Sequence, residues 1–201
     1  MEITDDHMEY AVVQRLQEML HDRNPRFRVT SAYAYFAAIL CWSSQRMRTN
    51  TVQDNSAAAV AANGVWQKLS EENVSDRPWE VVIVEEEDVQ MPRAAVAATA
   101  SRSFRGRTAQ QLIKNLRDSV AHGDARNVVP YNSNGLLRGF KFKCSDRDRA
   151  GNVVWQGTII LGGDDMVRIA DQIGNRFCSA LERVSRSQHL KRDVEEIGEA
   201  A

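Results

Sequence analysis

The run from Thr108 to Gly123, TAQQLIKNLRDSVAHG, frames the reading of the rest of the chain. Leu112, Ile113, Leu116 and Val120 recur at helical spacing, and at about 100° per residue they define one apolar face. Thr108 is suited to cap the helix start and Gly123 to stop it. Asp118 and His122 fall roughly opposite the apolar face, with Arg117 at its edge. Four positions apart, they are neighbours on a helix, so the carboxylate is expected to orient the imidazole and favour its charged form. The helix end also favours a cation, and together these effects predict a raised His122 pKa and a proton that switches near neutral pH. Spacing alone does not single out Arg117 with His122, because Arg15 with His21 and Arg183 with His189 have a similar separation.

On either side the pattern is mostly helical. Apolar residues from Tyr10 to Leu20 predict a first helix over about 5–21, and AYAYFAAILCW from Ala32 to Trp42 a central second one, capped at Thr30 or Ser31. The alanine-rich stretch from Gln53 to Glu72 predicts a third. Val81 to Val84 and the acidic run Glu85 to Asp88 read as a connector with at most a short strand, and Pro92 to Ala100 as helix again. After a loop at Asn132 to Gly135, Phe140, Phe142 and Cys144 alternate with lysines, and Val153 to Leu161 pairs with them as a hairpin over about 138–161. Asp164 or Asp165 caps a last helix with Ile169, Ile173, Phe177, Leu181 and Val184 as its stripe. The expected fold is therefore mainly α, with five or so helices. Residues 1–185 form one domain, and 186–201 form a polar, frayed C-terminal tail.

With 201 residues and 43% apolar content, one sizeable core is affordable. Lys and Arg total 26 against 27 Asp and Glu, so nucleic acid could be held only by a local basic patch. Arg102, Arg105, Arg107 and Lys114, around Phe104, form the best such cluster and would suit a phosphate track. Cys41, Cys144 and Cys178 are scattered and read as reduced core residues, and the four tryptophans as packing anchors. Ligand spacings for a metal centre and a phosphate-loop pattern are both missing, so no metal and no cofactor are expected. The segment MEITDDHMEY has no apolar stretch, and no window approaches a membrane span, which predicts a soluble, cytoplasmic protein.

An R-D-x-x-x-H-G run closing an amphipathic helix, followed by a loop, a small hairpin and a last helix, resembles the signature region of the HEPN superfamily. The apolar helix AYAYFAAILCW is similar to the one that HEPN proteins place beside it. The resemblance implies an HEPN-like helical bundle with a small β-hairpin before the last helix. It further implies a homodimer in which two motifs line a shared cleft, and metal-independent endoribonuclease activity. His122 would then act as general acid or base, Arg117 would stabilise the phosphate, and Asp118 would position its neighbours. RNA is the implied substrate, and an antitoxin-type protein the implied partner if the chain is the toxin of a defence or toxin-antitoxin pair. The alternative is a non-catalytic HEPN dimerisation or binding module.

Overall fold

A computed structural model of the chain describes residues 10, 13–14, 16–18, 28–49, 51–79, 82–84, 96–101, 106–122 and 127–199. In chain order its elements are α1 (Arg28–Met47), α2 (Ala57–Lys68), β1 (Val82–Val84), β2 (Val96–Ser101), α3 (Ala109–Ala121), β3 (Val128–Ser133), β4 (Leu136–Arg147), β5 (Val153–Gly162) and α4 (Gly163–Glu199). The described residues between 10 and 18 are also helical.

Asn134 and Gly135 sit at φ of 53° and 71° between paired Ser133 and Leu136. Two consecutive positive φ values make the tight turn whose twist matches antiparallel strands, and Asn-Gly is the dipeptide that tolerates it best. The turn joins β3 to β4. A longer turn follows, in which Asp148 Oδ1 accepts from the N–H groups of Ala150 and Asn152, and it joins β4 to β5. These three antiparallel strands make up most of a five-stranded sheet ordered β1-β5-β4-β3, with β2 running parallel along β5. Where β4 crosses β5, Gly139 lies opposite Gly162, and a Cβ on Gly139 would stand 2.0 Å from the Leu161 carbonyl oxygen.

This sheet overturns the expected helical bundle with a small hairpin. The strands are long, and their inward positions, Phe142, Cys144, Trp155, Ile159 and Leu161, share one core with Phe36, Ile39, Leu116, Ile173 and Phe177 of the helices. Burying a side chain of this size contributes roughly 1.5–3 kcal/mol, so the sheet face is the floor of the core. The fold is mixed α/β, with α1, α3 and α4 laid on that floor. Aromatic rings join the layers: Tyr33 lies 4.4 Å from Phe140 and Phe36 meets Phe142 edge-on at 5.9 Å.

Two further expectations change. Part of the span from Pro92 to Ala100, expected as helix, is strand β2, because the open edge of β5 offers backbone partners that outweigh the helix preference of alanine. Residues 186–199, expected as a frayed tail, continue α4 to Glu199. The helix starts directly from the sheet, and Asp165 Oδ2 accepts from the Gly162 N–H at 3.0 Å in place of a separate capping residue. Among the described residues, no helix is long and apolar enough to cross a membrane.

Candidate functional site

α3 is fixed at its start by a reciprocal capping box, in which Thr108 Oγ1 accepts from the Gln111 N–H and Gln111 Oε1 from the Thr108 N–H. Leu112, Ile113 and Leu116 are buried, which turns Lys114 and Asp118 away from the core. Ser119 faces β4, and its hydroxyl lies 2.8 Å from the Lys143 carbonyl and 3.3 Å from Cys144 Sγ. α3 is thus pinned to the sheet along one side, and its motif residues follow from that orientation.

Arg117 Nη1 donates to Asp118 Oδ1 at 3.0 Å, and Lys114 Nζ stands 3.6 Å from Asp118 Oδ2. Arg117 is 27% and Asp118 28% exposed in their side chains, while His122 lies exposed at the end of the helix. The His122 N–H donates to the Asp118 carbonyl, so backbone geometry ties the histidine to the turn that carries the carboxylate. Among the described residues, no side-chain bond joins Asp118 to the His122 ring. The spacing predicted that pair, but Lys114 is also four residues from Asp118, and a fixed ammonium and guanidinium compete better for the carboxylate than an imidazole.

Arg117 is partly sunk toward α1, where Cys41 lies within its electrostatic reach, and burial pushes the Cys41 thiol upward against the pull of Arg117. The Arg117 Nε is buried and has no hydrogen-bond partner among the described residues. Both side-chain amide atoms of Asn115, one turn before Ser119, are in the same state.

Of the expected phosphate track, Lys114 lies on the helix surface and Arg107 does not. Arg107 is buried, ion-pairs with Asp146 and stacks on Trp155. Arg102 and Arg105 lie outside the described residues, as does Gly123. Lys114 Nζ reaches Asp146 Oδ1 at 2.9 Å, so charges alternate along one ladder: Arg107, Asp146, Lys114, Asp118, Arg117. Burial acts to raise the Asp146 pKa, but hydrogen bonds from Arg107 and Lys114 overcome it and hold the carboxyl below its usual range.

Asp146 and Trp155 are the site residues that sequence reasoning missed. A signal existed: Asp146 continues the inward alternation Phe140, Phe142, Cys144, and a carboxylate on the buried side of a strand requires a cation. Among the described residues, no three His, Cys, Asp or Glu side chains come together as a metal centre.

Comparison of the chain with family models, curated proteins and solved structures returned no match.

Proposed function

We propose that the surface of α3 around Arg117 and His122 binds and cleaves RNA without a metal ion. The observation that supports it is a guanidinium held by Asp118 five residues before an exposed imidazole at the end of the same helix. In this reading His122 exchanges a proton with a ribose 2′-hydroxyl or a leaving oxygen, and Arg117 stabilises the crowded phosphate. Asp118 positions Arg117, and Lys114 adds a second cation. A second copy apposed through the same face would bring two such sets to one strand, as the HEPN resemblance implies.

A binding or assembly role is the second reading. It is favoured by the ladder itself, in which Asp118 and Asp146 already hold Lys114, Arg107 and Arg117 in ion pairs.

Comparing wild type with His122→Ala and Arg117→Ala on bulk RNA, with chelator present, separates the two. Cleavage that leaves 2′,3′-cyclic phosphate and drops by about 10²-fold in either variant supports the nuclease. Silence of all three folded proteins leaves the binding role.

A further inference from the structure

A sheet that does not close has two edges, and here they differ. Along the outer side of β5, β1 pairs with Thr158, Ile159 and Ile160, and β2 with Val153 and Trp155. The other edge is β3, which among the described residues pairs with β4 alone. The direction of each backbone group on β3 follows from one hydrogen bond. The Lys143 N–H donates to the Asn127 carbonyl at 2.8 Å, one residue before Val128 pairs with Phe142. In an antiparallel ladder, residues whose N–H and C=O point at the partner strand alternate with residues whose groups point away. Val129 and Tyr131, opposite Lys141 and Gly139, therefore turn theirs toward β4, while Val128, Pro130 and Asn132 present theirs to the open edge. The irregularity after Tyr131 adds Arg138 to β4 and leaves the alternation along β3 unbroken.

The edge has the composition of a pairing strand. Val128, Val129 and Tyr131 favour extended backbone. No residue from Val128 to Ser133 is charged, so the like-charge repulsion that commonly guards an edge is missing. Of the residues that face outward the middle one is an exposed proline, which offers a carbonyl but no N–H. A second β3 laid antiparallel across a two-fold axis sets Pro130 against an outward residue of its partner in every register that overlaps more than one of them. At that position a donor is missing and a ring carbon stands in its place.

We infer that the edge of β3 is a docking strand for a second copy of this chain, and that Pro130 keeps it closed. A two-fold pairing of this edge is self-complementary, since the same outward groups serve both copies and no charge opposes their approach. The missing Pro130 donor removes the central bonds of that pairing and leaves only those of Val128 and Asn132 at its ends. The contact uses the backbone of β3 and no part of the α3 face, so it stands or falls independently of RNA cleavage.

The test is Pro130→Val in the full-length protein, which restores the donor with a residue suited to a strand. Light scattering should give at least twice the wild-type mass at equal concentration, with the circular dichroism unchanged. Amide hydrogen exchange locates the contact. In the wild type the Val128 and Asn132 N–H groups should exchange quickly while those of Val129 and Tyr131 are protected, and in the variant Val128 and Asn132 should become protected as well. An unchanged mass in the folded variant, or a larger mass that leaves Val128 and Asn132 in fast exchange, overturns the inference. Protection of those two amides in the wild type overturns it without any variant, because the edge would then be already paired.

Discussion

The guanidinium of Arg107 lies 3.8 Å from the centre of the Trp155 ring while it ion-pairs with Asp146. One cation thus ties the loop before α3 to both β4 and β5. A stacked, buried arginine depends on its planar shape as well as its charge. Arg107→Lys keeps the charge but loses the stack and the fork, and should cost about 2 kcal/mol in chemical denaturation. Arg107→Ala leaves Asp146 without that partner and should cost more, about 3–5 kcal/mol. Equal stability of the lysine variant and wild type would show that the stack contributes nothing.

The same ladder sets an acid limit. Asp146 is held below its usual range against the opposing effect of burial. So is Glu72, which accepts from Trp79 Nε1 at 2.7 Å and pairs with Arg176. A carboxylate whose pKa is lower folded than unfolded stabilises the fold above its unfolded value, about 3.9 for Asp and 4.3 for Glu. That contribution fades as pH falls through the folded value. Unfolding free energy should therefore be flat near neutrality and drop below about pH 4, with a shallower drop in Asp146→Asn. Identical acid slopes for variant and wild type would remove Asp146 from this account.

Gly139→Ala should be severe. The added methyl meets the Leu161 carbonyl carbon and oxygen, which are backbone atoms and cannot rotate away. The pairing of β4 with β5 must shift, at about 3 kcal/mol, and thermal melting would register it. A wild-type melting temperature would mean that the two strands are not held at the separation described.

The thiols should be inert in the native state. Burial pushes Cys144 up to about 12 despite its contact with Ser119, and Cys178 up to about 11. Because the thiolate is the reactive form, iodoacetamide at pH 8 should label Cys144 only after denaturation, as peptide mass spectrometry would reveal. Rapid native labelling of Cys144 would contradict its burial.

α3 was readable because its signals are local: the Thr108 cap, the apolar stripe and the stop after His122. The hairpin of β4 and β5 was readable for a similar reason, since alternation with period two is written directly into residues 140–161. β3 was not, although Asn134-Gly135 is a strong turn signal; the polar Asn132 and Ser133 read as loop together with it. β2 was hidden more deeply, because alanine-rich sequence favours helix in isolation and only the free edge of β5 makes it a strand. At the site, the residue types were legible and their partners were not. Whether Asp118 serves His122, Lys114 or Arg117 depends on which cations the fold brings within reach, and Asp146 arrives from a strand 28 positions away.

The contact between Glu72 and Arg176 spans 104 positions, and Arg168 reaches the Pro78 carbonyl across 90. Bonds that close loops of this length form only after the intervening chain has collapsed, since their closure entropy must be met before they return anything. The clasp of α4 on the segment after α2 should therefore be absent from the folding transition state. Arg168→Ala would accelerate unfolding and leave the refolding rate nearly unchanged, a low φ-value in a stopped-flow chevron. The time the native state survives is then set at this clasp, while the rate at which it is reached is set in the β3–β4–β5 meander.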